Sequence, residues 1–279
     1  MGKPIIDFHI HPIYYEYYQD STLNWIKELQ DPPNWDDFYA KYSDSDYFVN
    51  YLKQSGVDYA VILADYTPLV NGMCSNEYVL NFCADYEELI PFASINPYMT
   101  MNMAQELKRL VSKGFRGIKF YPTYQYFYVN DPLLYPLYAC AQDLQIPVMF
   151  HTGTSVFKGA RLKYGDPIYL DDLAVDFPEM KIIMVHSGRG IWYERAFFLC
   201  RLHQNIHMEV AGLPPHKLLD YFPELEKVSE QVIFGSDWPG VLDIGENIAA
   251  IKDLNLSEEA KTKILGGNAA RLLVINSTV

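Results

Sequence analysis

The sequence predicts an α/β fold, a closed (β/α)8 TIM barrel, and three observations carry that reading. Short apolar runs recur along the 279 residues, each followed by a stretch with helical texture. Most of the runs are nearly continuously apolar, as strands buried on both faces of a parallel sheet are. Several end in a residue able to bind metal or move a proton, and a barrel would gather those residues at the carboxyl ends of its strands.

The runs begin near Pro4, Val57, Leu89, Phe115, Ile146, Lys181, Ile206 and Gln231. Helical segments are expected at Tyr47 to Gln54, Glu77 to Glu87, Met101 to Val111, Pro132 to Gln142, Leu170 to Phe177, Trp192 to Leu202, His216 to Val228 and Ile244 to Leu254. The first strand closes on Asp7-Phe8-His9-Ile10-His11. Alternation along an extended strand puts His9 and His11 on one side with Asp7 behind them. Two such imidazoles can share a divalent metal, and a carboxylate beneath can orient one of them through its second nitrogen. Lys119 ends the fourth run, His151 the fifth, His186 the sixth and Asp237 the eighth. A single polar strand end can simply cap a loop; four of them together with H-x-H indicate a metal site.

Composition excludes several function classes. The formal charge of −13 argues against nucleic acid and against an anionic membrane surface. No apolar stretch is long enough for a transmembrane helix. The start, Met1-Gly2-Lys3-Pro4, runs directly into strand one and leaves no room for a removable signal peptide. Cys74, Cys83, Cys140 and Cys200 show no CxxC spacing, so reduced thiols and a cytoplasmic location are expected. One domain over 1–279 is expected, with an aromatic-rich insertion at about 12–46. That insertion holds Tyr14, Tyr15, Tyr17, Tyr18, Trp25, Trp35, Phe38, Tyr39 and Tyr42, and a second cluster, Tyr121 to Tyr128, follows strand four. A loop so long and aromatic is expected to fold over the site or against a second subunit. A homodimer is expected, with Tyr14 and Trp35 near the pocket mouth.

The wording around the strand ends resembles a known group. Gly117-Ile118-Lys119-Phe120-Tyr121-Pro122, His151-Thr152-Gly153-Thr154, His186-Ser187-Gly188, Gly235-Ser236-Asp237-Trp238-Pro239 and the closing Gly266-Gly267-Asn268-Ala269-Ala270-Arg271 are similar to the amidohydrolase superfamily. They are closest to its amidohydrolase-related branch, which includes aminocarboxymuconate-semialdehyde decarboxylase and predicted metal-dependent hydrolases. The resemblance runs from the first strand to the last helix and assigns no substrate.

His9, His11, His151 and Asp237 offer three nitrogens and one oxygen, a set that suits one Zn²⁺ and would accept Mn, Fe or Co. His186 titrates near neutrality and sits one strand from His151, so it is the expected general acid/base. The resemblance implies the same role for it, and makes Asp237 a ligand that also handles a proton. Lys119 has two readings. In binuclear members of the superfamily a strand-four Lys is carboxylated and bridges two metals; in the branch resembled here one metal is usual, and Lys119 would hold a substrate anion. Arg189 can grip a carboxylate in bidentate fashion or pair with a surface acid. Glu209 is either a partner of the site or a polar member of the core. His207 is expected on the face away from the site, and His203 and His216 fall outside the strand ends.

The expected function is a metal-dependent hydrolase acting on an amide, lactone or related ester of a small organic acid through metal-activated water. The alternative is a non-oxidative decarboxylase of a small unsaturated or aromatic carboxylate. A third reading, a metal-binding scaffold without activity, would be expected to lack at least one ligand, and none is missing.

Overall fold

The computed structural model describes residues 3–275. Eight strands form one parallel sheet in chain order: β1 (Ile6–Ile10), β2 (Tyr59–Leu63), β3 (Leu89–Ser94), β4 (Gly117–Phe120), β5 (Pro147–His151), β6 (Lys181–Val185), β7 (Ile206–Glu209) and β8 (Val232–Ile233). Backbone hydrogen bonds join the last strand to the first. The Phe8 amide donates to the Phe234 carbonyl at 3.0 Å, the Asp237 amide to His9 at 3.0 Å, and the His11 amide to Trp238 at 2.8 Å. The sheet thereby curls into the expected (β/α)8 barrel.

The ladder between β1 and β2 contains one irregularity. Asp7 pairs with Ala60 and Ile10 with Ile62, so three steps on β1 oppose two on β2. A bulge of this kind re-aims side chains. Ile6 and Phe8 pack into the barrel interior with Val61, Leu63, Phe92, Met149, Ile183 and Ile233, whereas His9 and His11 line the cavity above. The simple alternation expected from the sequence holds between the two histidines and fails below them. Ala269, Ala270, Leu272 and Leu273 of the final helix (Asn268–Leu273) join the same interior cluster at the other end of the barrel.

Outward-facing strand residues such as Ile62, Ile118, Phe150, Met184 and Met208 pack against the surrounding helices. Seven of the expected helices appear with shifted ends, for example Ser45–Gln54, Met103–Ser112 and Tyr193–Leu202. The seventh segment departs most: its helix is only Leu218–Tyr221, because Pro223 ends it and the chain continues as a tight three-ten stretch, Leu225–Gln231. The eighth strand is likewise shorter than its apolar run. After Ile233 the chain leaves the ladder, and Asp237 takes a left-handed φ of 69°.

Residues 12–46 are more ordered than the irregular loop their composition suggests. They hold two helices, Asp20–Gln30 and Trp35–Tyr42, the second capped by Asn34, whose Oδ1 accepts the Asp36 amide at 2.9 Å. Tyr17–Tyr18 joins Gly72–Cys74 and Asp65–Thr67 in a small antiparallel sheet. Tyr42 anchors the end of the insertion, joining Phe48 and Tyr51 of the helix Ser45–Gln54 around Trp238 with ring centroids at 5.1, 5.0 and 6.1 Å. Among the described residues no helix is long and apolar enough to cross a membrane.

Phe48 is 1% exposed and its neighbour Tyr47 is 41% exposed. Phe48→Ala should destabilise the fold by about 3–5 kcal/mol, whereas Tyr47→Ala should stay within about 0.5 kcal/mol. Urea unfolding followed by circular dichroism checks both, and equal effects would show that the packing of Phe48 against Trp238 carries no stability.

Candidate active site

His9, His11 and Asp237 converge at the carboxyl end of the barrel. Their ligand atoms all lie within 4.8 Å of one another. His9 Nε2 lies 3.1 Å from His11 Nε2 and 3.2 Å from Asp237 Oδ1, and His11 Nε2 lies 3.8 Å from the same oxygen. A second group, His9, His186 and Glu209, has the same compactness. Glu209, however, is already engaged: Oε1 takes His9 Nδ1 at 2.8 Å and Oε2 accepts the His186 amide at 3.1 Å. With Nδ1 donating to that carboxylate, His9 presents Nε2 to His11 and Asp237, which is how a carboxylate orients a metal-binding imidazole. The first group is therefore the better ion site.

Asp7 does not do what its place in the strand suggests. Its Oδ1 accepts the backbone amides of His9 and Ser236 at 3.0 and 2.9 Å, so it ties β1 to the β8 end and leaves the imidazole to Glu209. Only the β1 bulge and the closed barrel bring Glu209 there, and neither is visible in local wording. Gly235 makes room for the contact, since a Cβ there would stand 2.4 Å from Glu209 Oε1 and 2.7 Å from His9 Cβ.

His151 lines the same cavity, its ring centroid 4.7 Å from that of His186. His186 Nδ1 lies 2.7 Å from the Ala211 carbonyl, which can only accept, so Nδ1 carries the proton and Nε2 is the free base. His186, Ser187 and Asp237 all have left-handed backbones, with φ of 60°, 46° and 69°. Each such residue costs on the order of 1–3 kcal/mol and persists where its surroundings over-determine it, a frequent mark of functional sites.

Burial sets the electrostatics. It lowers His9, His151 and His186 well below the usual imidazole range and His11 to about 3, so all four are neutral and able to donate lone pairs. The same burial raises Glu209 to about 8 and Asp7 to about 7. Asp237 rises to about 6, held from going higher by the Arg189 and Lys119 cations. Lys119, wholly buried, falls to about 8, with Nζ 3.4 Å from His9 Nε2. A divalent cation fits this donor set. Among the described residues His151 Nε2 is buried with no hydrogen-bond partner, and the neutral imidazoles of His9 and His11 face the Asp237 carboxylate.

The cavity over these groups measures about 330 Å³. Its outer wall is aromatic: Trp25 from the insertion meets Phe157 edge-on at 5.2 Å, and Phe157 stands 6.1 Å from Tyr124. Arg189 enters from the β6 side, Nη1 3.7 Å from Asp237 Oδ2 and Nη2 donating to the Thr154 carbonyl at 3.1 Å. The insertion does reach the cavity, but through Tyr15, Thr22, Trp25 and Ile26. Tyr14 stacks on Tyr78 at 4.2 Å and Trp35 packs on Phe38 at 5.6 Å, so neither expected mouth residue lines it. Helical spacing within Asp20–Gln30 is the signal that selects Thr22, Trp25 and Ile26. Among the described residues the buried His207 Nδ1 has no hydrogen-bond partner, and His203 bonds Asp171 at 2.6 Å; neither histidine lines the cavity.

Purified protein should carry close to one Zn²⁺ or similar divalent ion per chain by elemental analysis. His9→Ala and Asp237→Ala should lose it, while His186→Ala keeps it; loss of metal in His186→Ala would make His186 a ligand. Glu209→Ala should weaken metal affinity about 10- to 100-fold in a chelator competition, because it removes the acceptor that orients His9. An unchanged affinity would show that His9 needs no such partner.

Known structures share this architecture. An uncharacterised TIM-barrel protein of Bordetella bronchiseptica is 22% identical with a TM-score of 0.80, over 97% of this chain and 98% of that one. A dihydroxybenzoic acid decarboxylase of a Polaromonas species, solved with manganese and the inhibitor 2-nitroresorcinol, is 18% identical with a TM-score of 0.71, over 99% and 98%. A probable 2-pyrone-4,6-dicarboxylic acid hydrolase of Acinetobacter baumannii, solved with citric acid, is 19% identical with a TM-score of 0.66, over 97% and 99%. At these identities they speak for the fold. The amidohydrolase family model spans residues 6–275, and the chain belongs to that family.

Proposed function

We propose that the protein is a metal-dependent hydrolase that opens an amide, lactone or related ester of a small organic acid. The observation that supports it is a pair of separate proton carriers, Asp237 and His186, lining one cavity. Hydrolysis at neutral pH moves two protons from water: one leaves with the departing group, and the new carboxylic acid sheds the other. Asp237, beside His9 and His11, takes the first and returns it to the departing oxygen or nitrogen. His186 Nε2, free because Nδ1 is fixed on Ala211, takes the second. A divalent ion bound by His9, His11 and Asp237, with His151 adjacent, would contribute Lewis acidity toward the carbonyl and a lowered pKa for water.

Arg189, its Nη1 3.7 Å from Asp237 Oδ2, would hold a substrate carboxylate. Trp25, Tyr124 and Phe157 would bracket a flat body and keep water away from the carbonyl. Decarboxylation is the second reading, favoured by that cation beside a proton donor and by the several decarboxylases among the similar structures. It needs a single proton, delivered to the carbon that loses CO₂.

The two are separated by incubating the Zn- or Mn-loaded protein in H₂¹⁸O with lactones, N-acylamino acids and aromatic carboxylates. Hydrolysis puts one ¹⁸O into the product acid. Release of CO₂ with no ¹⁸O in the organic product would replace the first reading by the second. His186→Ala should lower turnover by about 10²- to 10⁴-fold with metal retained; a wild-type rate would remove His186 from the reaction.

A further inference from the structure

The chain carries 35 acidic and 22 basic residues, yet residues 154–165 contain three cations, Lys158, Arg161 and Lys163, and no acid. This loop follows β5, and its Val156 and Phe157 line the cavity. All three cations are exposed. The Arg161 guanidinium lies 4.5 Å over the Tyr126 ring and the Lys163 ammonium 4.8 Å over Tyr164. An aromatic face holds a cation in place and leaves its charge intact, which a carboxylate would not. Among the described residues none of the three forms an ion pair, while Arg195, farther along, pairs with Asp166. The loop is fastened where it begins and ends its course: the Gly153 amide donates to Gly165 at 2.7 Å and the Arg161 amide to Thr123 at 2.9 Å.

We propose that residues 154–165 form an anion guide, in which Lys158, Arg161 and Lys163 draw a small carboxylate-bearing substrate to the cavity mouth and pass it to Arg189. This rests on the reading that the substrate carries a carboxylate. A net charge of −13 repels an anion at long range, so an acidic enzyme with an anionic substrate needs a positive field at its entrance. Solubility does not explain the cluster, because the chain is already far from neutral and the cluster reduces that charge. Lys158 directly follows Phe157, which lines the cavity, and Arg161 and Lys163 follow on the same loop.

The test reads the field directly and involves no turnover, so its failure is distinct from failure of the proposed reaction. Trp25 lines the cavity against Phe157 and serves as the reporter. Metal-loaded protein carrying Trp35→Phe and Trp192→Phe leaves Trp25 and the buried Trp238, which ions do not reach. At low ionic strength iodide should quench Trp25 about fivefold better than caesium, each normalised to a fully exposed indole. The ratio should approach one in 1 M salt. It should fall below one in Lys158→Glu/Arg161→Glu/Lys163→Glu and lie between the two in the corresponding triple Gln variant. An iodide-to-caesium ratio near one in the unreversed protein, or a ratio unchanged by the substitutions, overturns the proposal. The salt dependence of the unreversed protein decides the question even if the Glu variant does not fold.

Discussion

The contact between Glu209 and His9 is the constraint on which the rest of the site depends. A carboxylate and an imidazole, both wholly buried, meet at 2.8 Å above the apolar cluster that fills the barrel interior. Moving either one alone into that environment would be costly, and together they offset much of the penalty. Their pairing fixes the His9 tautomer and points its other nitrogen toward His11 and Asp237. Through its second oxygen Glu209 also holds the amide of His186, so one side chain sets the positions of a candidate ion ligand and of the proposed proton carrier on different strands.

The second organising feature is backbone conformation at the strand ends. His186, Ser187 and Asp237 turn sharply out of their strands in the left-handed region, and Gly212 with a φ of 65° lets Arg189 and Asp237 approach. A Cβ on Gly212 would stand 2.6 Å from both Arg189 Nη1 and Asp237 Oδ2. These turns aim side chains inward from a rigid sheet, which is why the chemistry sits at its rim and the packing below it.

Much of this architecture is legible in the amino-acid sequence, for identifiable reasons. Buried parallel strands announce themselves by continuous apolar runs, and the polar residues that end them stand out. His9, His11, Lys119, His151, His186 and Asp237 are recognisable on that ground alone, and all six line one cavity. What local wording does not carry is set by tertiary geometry. Asp7 lies two residues from His9 in a strand, yet the β1 bulge sends it to backbone amides, and Glu209, two hundred residues away, takes its place. The insertion is legible as aromatic but not as helical, because its apolar spacing is spread over two short helices and a turn. Tyr14 and Trp35 are accordingly easy to confuse with Tyr15 and Trp25, the residues that turn toward the cavity.

The aromatic brace around Trp238 has a consequence for how this enzyme can change. Trp238 follows Asp237 directly in the chain and is gripped by Tyr42, Phe48 and Tyr51, and Gln30, at the end of the cavity-lining helix, donates to the Pro239 carbonyl at 2.7 Å, so the roof and the helices after it steady the backbone bearing Asp237. The roof is therefore not a detachable module. Its cavity-facing residues, Thr22 and Trp25, shape what is admitted, while its root is tied to the chemistry. Divergence toward new substrates would run along Asp20–Gln30 and stop at the helix that carries Phe48.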